Sequence, residues 1–304
     1  MAREDGYFRQ VQLLVRLLPH VAKEECFALK GGTAINFFVR DLPRLSVDID
    51  LAYLPLEPRE PALANIRASL AAIGKSIVEA MPDVRVHVPG GGDDSLRLVA
   101  QSGDCHVKIE LSPVLRGTVS PPEIRQVHEK VEEGFGFAEM QVLSFADLYA
   151  GKLCAALDRQ HPRDLFDIKL LLEAEGLTRE LVESFIVYLI SHNRPIAELL
   201  KPSKKDISGI FETEFETMTR TPVTLEELKK IQKKLSQMVR DCLTQQDRRF
   251  LLSFKARKPE WSLLDVEGAQ DLPAVQWKLI NLNRMSGAKH RQALKNLEAV
   301  LIEE

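Results

Sequence analysis

Asp48 and Asp50 stand two residues apart in Arg44-Leu45-Ser46-Val47-Asp48-Ile49-Asp50-Leu51, a run in which polar and apolar residues alternate. On an extended strand that alternation puts Ser46, Asp48 and Asp50 on one face and Val47, Ile49 and Leu51 on the other. Two carboxylates so close repel each other, and a cation relieves the repulsion. Hard oxygen donors suit Mg²⁺, with Mn²⁺ as a substitute, because Mg²⁺ keeps several waters and takes one or two carboxylates together with phosphate oxygens. An exposed edge strand with ordinary acidic residues would look the same. His106-Val107-Lys108-Ile109-Glu110-Leu111 repeats the alternation, so Glu110 would join Asp48 and Asp50 as a metal ligand if the two strands are sheet neighbours. A third carboxylate would allow a second metal ion or a general base. Taken alone, Lys108 and Glu110 also describe a solvated strand face.

Ahead of these carboxylates lies Lys30-Gly31-Gly32-Thr33, between a predicted strand at 26–30 and a predicted helix at 34–40. Paired glycines let a backbone approach a phosphate closely, and a helix N-terminus turns free N–H groups toward an anion. Gly31, Gly32, Thr33 and Ser46 are therefore candidate nucleotide-binding residues, the Thr33 hydroxyl serving either as a helix cap or as a phosphate ligand. Any tight strand-to-helix connection can also use a Gly-Gly turn. The loop is not a Walker A loop, since no G-K-[ST] follows, and G-x-G-x-x-G is absent from the chain.

A third constellation sits on a helical pair. Ser144-Phe145-Ala146-Asp147 fits a capping box opening a helix on which Lys152 and Arg159, seven residues apart, share a face. His161-Pro162 breaks that helix, and Pro162 suits the first position of the next one. Asp164 falls in the new first turn and Asp167 one turn later on the same face, so Lys152, Arg159, Arg163, Asp164 and Asp167 converge at one helix–helix corner. The same pattern also fits Asp164 as a complement to the helix dipole and Arg163 as an i,i+4 partner of Asp167.

The elements that must position these residues follow from periodicity. Phe8, Val11, Leu14, Val15 and Leu18 predict an amphipathic helix ended near Pro19. Residues 46–53 read as a strand stopped by Pro55, and 63–81 as a helix with Leu63, Ile66, Leu70 and Ile77 on one side. Strands follow at 84–88, 96–100 and 105–111, the first two joined by the turn-rich stretch 89–94. From about Leu143 onward the apolar patterns are helical, and Pro121-Pro122 and the stretch 134–136 lie near the change. The expected organisation is α+β: a mixed-sheet core domain over 1–140, then a mostly helical domain over 141–304.

The bulk composition narrows the functional classes. The 304 residues are 45% hydrophobic and 28% charged, an ordinary globular balance that excludes wholesale disorder. No apolar run reaches the roughly 20 residues that span a bilayer, and the first seven residues do not read as a secretion signal. Cys26, Cys105, Cys154 and Cys242 form no C-x-x-C pair, which speaks against a zinc site and for small core residues in a reducing cytoplasm. Net charge is -3, but residues 201–304 hold 19 Lys and Arg against 15 Asp and Glu, while residues 1–200 hold 22 against 29. An acidic front suits a metal site and a basic rear a polyanion, although an evenly solvated surface has similar numbers.

Taken in order, G-G-T, a helix, then R-x-S-x-D-x-D resembles the opening motif of the DNA polymerase β-like nucleotidyltransferases. The match is closest to the AbiEii/MenT-type nucleotidyltransferase toxins of bacterial type IV toxin–antitoxin systems. The run from Lys152 to Asp167 resembles that family's third block, which carries a Lys, an Arg and an R-D-x-x-D ending. Residues 273–282 look like its tail. The family's second block usually reads Lys-x-Asp, whereas Lys108-Ile109-Glu110 supplies a glutamate. This resemblance implies a polymerase β-like fold and a Mg²⁺-dependent transfer of a nucleotide from an NTP. Asp48 and Asp50 would hold the metal, Gly31, Gly32, Thr33 and Ser46 would steady the phosphates, and Lys152 would neutralise their charge. Asp167, with Asp164 and Arg159 nearby, would orient the nucleotide or accept the acceptor hydroxyl's proton. The implied acceptor is RNA, a tRNA 3′ end in family members with an assigned target, and a cognate antitoxin is an implied partner. The basic tail (Lys278, Arg284, Lys289, His290, Arg291, Lys295) would contact RNA phosphates, or would be a solvated helix face. Two other readings remain: transfer to a small molecule such as an aminoglycoside, and a non-catalytic nucleotide-binding protein. All the expected site residues would have to gather around one magnesium-bound triphosphate.

Overall fold

The computed structural model describes residues 2–89 and 96–302. It divides the chain into two compact units, one running up to Ser144 and including Glu216–Pro222, the other made of Phe145–Phe215 and the chain from Val223 onward.

In the first unit α1 (Ala2–Val21) packs Val11, Leu14, Val15 and Leu18 into the core. The helix does not stop at Pro19. The imide lacks the N–H that residue 15 would accept, but the ladder resumes where Ala22 N–H donates to Leu18 O at 2.9 Å. Fully buried Leu17, Leu18 and Val21 outweigh one missing bond in the last turn. The chain continues through β1 (Phe27–Lys30), the short α2 (Gly31–Ala34), which runs on as a π-helical turn (Ile35–Val39), then β2 (Asp48–Tyr53) and α3 (Arg59–Ala80). Next come β3 (Arg85–His87), β4 (Arg97–Ser102), β5 (Cys105–Arg116), β6 (Glu123–Gln126), α4 (Glu129–Phe135) and β7 (Glu139–Val142). Beyond Pro89, the turn-rich 89–94 connection lies outside the described residues.

The seven strands form one sheet in the order β3-β4-β5-β2-β1-β7-β6. It is mixed, since β2 runs parallel to β5 and β1 parallel to β7, while the other neighbours are antiparallel. Central β2 therefore has β1 on one side and β5 on the other, and residues 49 and 51 point into the core with no exposure. Strands β6 and β7, four residues each, were not expected from the sequence; that length is too short for alternation to stand out. The segment 216–222, which the sequence groups with the helical part, pairs instead with the stretch 43–45 that leads into β2. Leu45 N–H donates to Met218 O at 2.8 Å, Arg220 N–H donates to Pro43 O at 2.8 Å, and Arg44 bridges Thr219.

The second unit is helical: α5 (Phe145–Asp158), α6 (Pro162–Ala174), α7 (Arg179–Ser191), α8 (Ile196–Leu200), α9 (Ser208–Ile210), α10 (Leu225–Asp241), α11 (Gln245–Lys255), α12 (Pro273–Arg284) and α13 (Gly287–Ile302). Local chemistry sets many of its ends. Thr224 with Glu227 and Thr244 with Asp247 form reciprocal capping boxes at the starts of α10 and α11, and Thr178 caps α7. Among the described residues no helix is long and apolar enough to cross a membrane. The four cysteines are free thiols, Cys105 and Cys154 buried, Cys26 and Cys242 half-buried.

Candidate active site

The glycine turn is built against the carboxylate strand. Gly31 holds φ +74, which glycine enters without steric cost. A Cβ there would lie 2.7 Å from Asp50 Oδ2, so the Asp50 carboxylate rests directly on this backbone. A Cβ at Gly32 would meet Arg44 Nη2 at 2.8 Å and Ser46 Oγ at 3.0 Å. The Thr33 hydroxyl donates to the Asp48 carbonyl at 2.5 Å and lies 3.0 Å from Ser46 Oγ, while Asn36 Nδ2 donates to Gly32 O at 2.9 Å. Gly31, Gly32, Thr33, Ser46, Asp48 and Asp50 are thus brought together. Ser46 precedes β2 rather than belonging to it, and it is buried, as are Thr33 and Arg44. Arg44 stood in the sequence motif without a role. Its guanidinium donates from Nη1 to Leu45 O at 2.9 Å and packs beneath Gly32.

Register fixes what lies beside the carboxylates. Lys30 pairs with Asp50 across β1 and β2, Asp50 with Glu110 across β2 and β5, and Glu110 with Arg97 across β5 and β4. Directly paired residues share a face, so one row of the sheet reads Lys, Asp, Glu, Arg. The next row sets Asp48 beside Lys108. Glu110 does neighbour Asp50, and it pairs with Arg97 at 3.8 Å. Among the described residues no group of three or more His, Cys, Asp or Glu is gathered to hold a metal ion. Asp48 and Asp50 supply two carboxylates, the number Mg²⁺ takes alongside phosphate oxygens. The absence of side chains at Gly31 and Gly32 lets Asp50, Arg44 and Ser46 close up against the turn.

The helical corner in the second unit is as the spacing suggests. Pro162 opens α6, and the His161 ring accepts from Arg163 N–H at 3.1 Å. Burial, with Arg163 adding to it, lowers the His161 pKa, which favours the neutral ring that this acceptor role requires. Asp164 and Asp167 have no exposed side-chain surface. Lys152 Nζ lies 3.0 Å from a carboxylate oxygen of each, and Arg159 Nε and Nη2 reach Asp164 at 2.5 and 2.9 Å. It is Lys152, not the i,i+4 Arg163, that pairs with Asp167 here. Burial would raise the Asp164 carboxyl, but Lys152 and Arg159 outweigh it and hold it far below the usual carboxylate range.

The basic tail divides in two. Lys278 Nζ donates to the carbonyls of His192, Asn193 and Arg194 at 2.5, 3.3 and 2.7 Å, closing the C-terminal end of α7, and His290 contacts Lys255 O. Lys278 is therefore a structural cap and not a spare charge. Arg284, Lys289, Arg291 and Lys295 are exposed.

Residues 12–281 match the family model described as nucleotidyl transferase AbiEii toxin, type IV TA system. The chain belongs to the AbiEii family. It is accordingly a nucleotidyltransferase toxin of a type IV toxin–antitoxin system, an α+β transferase. The fold is similar to that of MenT4, a nucleotidyltransferase toxin from Mycobacterium tuberculosis H37Rv, with TM-score 0.60 and 14% identity over 98% of this chain and 94% of that one. No curated protein sequence matches the AbiEii member described here.

Proposed function

We propose that this AbiEii-family protein transfers a nucleotide from a magnesium-bound NTP to the 3′ end of an RNA, a tRNA in the reading the family resemblance favours. The observation that carries the proposal is the Asp50 carboxylate lying against the Gly31 backbone, with Ser46 and Thr33 alongside. A glycine turn that brings backbone N–H groups directly beside a carboxylate pair on the adjoining strand suits a metal-bound triphosphate. Asp48 and Asp50 would hold the metal, which supplies charge neutralisation and orientation of the phosphates. Gly31 and Gly32 present backbone N–H groups, and Ser46 presents a hydroxyl. Thr33, committed to the Asp48 carbonyl, holds the turn to the strand.

The second unit's contribution is assigned from the family resemblance. Lys152 neutralises phosphate charge, and Asp164, bonded to both Lys152 and Arg159, keeps the ammonium in place. The resemblance gives Asp167 the role of orienting the nucleotide or accepting the acceptor hydroxyl's proton. The acceptor oxygen bonds to the α-phosphorus as the bond to the β-phosphate bridging oxygen breaks, and pyrophosphate leaves. Such catalysis consists mostly of positioning and electrostatic stabilisation.

Labelled NTPs incubated with total RNA and purified protein test the reading. The wild-type chain should place label in RNA, and Asp48→Ala should lower the rate by about a thousandfold, on the order of 4 kcal/mol. Label that enters a small molecule and never RNA would replace the acceptor; no transfer at all would overturn the reading.

A further inference from the structure

We infer that Lys30 is a further phosphate-binding residue, whose ammonium contacts the β- and γ-phosphates of the nucleotide; the inference rests on the reading of this site as an NTP site. Lys30 ends β1 directly before Gly31. Its antiparallel partner in register is Asp50, so the two side chains leave the sheet on the same face. Asp50 is the carboxylate that rests on Gly31. A lysine is therefore fixed at the rim of the turn, one residue from the backbone that would meet phosphate.

The far end of the same row makes the contrast. Glu110 has an ion-pair partner in Arg97, at 3.8 Å. Lys30 is half-buried, and among the described residues its ammonium has neither an ion pair nor a hydrogen bond, although Asp50 is directly opposite. An ammonium is a compact charge with three donors and a flexible stem, suited to phosphate oxygens. The strand that leads into the turn fixes its backbone beside the place where an anion would sit.

The role also matches the charge flow of the reaction. When the acceptor oxygen bonds to the α-phosphorus, the bond to the bridging oxygen breaks and its electron pair stays on pyrophosphate. The acceptor's proton goes to the carboxylate base. One more unit of negative charge therefore gathers on the β- and γ-phosphates, the groups Lys30 would neutralise.

The experiment compares equilibrium binding of an NTP and of the matching NMP to the full-length wild-type chain, Lys30→Gln and Lys30→Arg, in Mg²⁺ buffer. Wild type should prefer the triphosphate. Lys30→Gln should lose about tenfold in NTP affinity, the loss of one charge-assisted contact, while NMP affinity stays unchanged. Lys30→Arg should recover most of it. Should Lys30→Gln fail to fold, Lys30→Met supplies the same comparison, and unfolding of both would mean that Lys30 serves the fold, overturning the inference. An unaltered triphosphate preference in Lys30→Gln would overturn it too, while wild-type transfer activity persisted. A wild-type chain that neither binds NTP nor transfers would remove the functional reading itself.

Discussion

A methyl group can report on the glycine turn. Gly31→Ala would force a left-handed φ on a residue with a Cβ and push that Cβ to within 2.7 Å of Asp50 Oδ2. The backbone term costs about 1 kcal/mol. The larger consequence is displacement of the Asp50 carboxylate, because the opposing atom lies on the proposed metal ligand. Transfer should fall at least a hundredfold while the melting temperature drops by only a few degrees; near-normal transfer would mean that Asp50 needs no such placement. At this scale the sequence was highly legible. Alternation alone set Asp48 and Asp50 on one face, and helical spacing alone brought Lys152, Asp164 and Asp167 to one corner. Lys30 and Lys108 were named without a role in the site and Arg97 was passed over, because their significance lies in cross-strand register, which pairs residues far apart in the chain and leaves no local pattern.

The α5–α6 corner is an element held by charge. Asp164 is fully buried and takes up both Lys152 and Arg159, so Asp164→Asn would leave a buried ammonium short of its counter-charge. Breaking such a pair costs about 3 kcal/mol or more. The pH dependence has a definite sign. In the folded protein the Asp164 carboxyl titrates well below its unfolded value of about 4. The stability it contributes is therefore complete at neutral pH and lost as the pH falls below about 4, where the unfolded chain takes up the proton first. Urea unfolding should show wild type well above Asp164→Asn at pH 7, and a gap that narrows steadily on acidification; a constant gap would mean that ionisation is not the source. Element ends were less readable than element types. Pro19 marked a helix end that burial of Leu17, Leu18 and Val21 carried two residues further, and the four-residue β6 and β7 fell below the length at which alternation speaks.

Over the whole molecule, charge placement separates structural from spare cations. With Lys278 closing α7, an RNA contact from the tail would fall to Arg284, Lys289, Arg291 and Lys295. Changing all four to Gln should flatten the salt dependence of RNA binding, by up to about four in the slope of log affinity against log salt if each meets a phosphate. An unchanged slope, measured by filter binding across a salt series, would place the RNA elsewhere. The fold class was legible from the shift in periodicity near residue 140. The return of 216–222 to the first unit was not, because seven residues in a helical stretch carry no sign of the distant segment 43–45 they will pair with.

That return threads the chain through both units three times, at 144–145, 215–216 and 222–223. Severing it after Ser144 would strip Pro43 and Leu45 of backbone partners contributed by Met218, Arg220 and Thr221, at the very stretch that leads into Ser46 and Asp48. The amino-terminal fragment would keep every carboxylate of its strand yet lack the clasp that holds the motif's entrance, so a separate polypeptide that carries residues 216–222 should be needed to restore it.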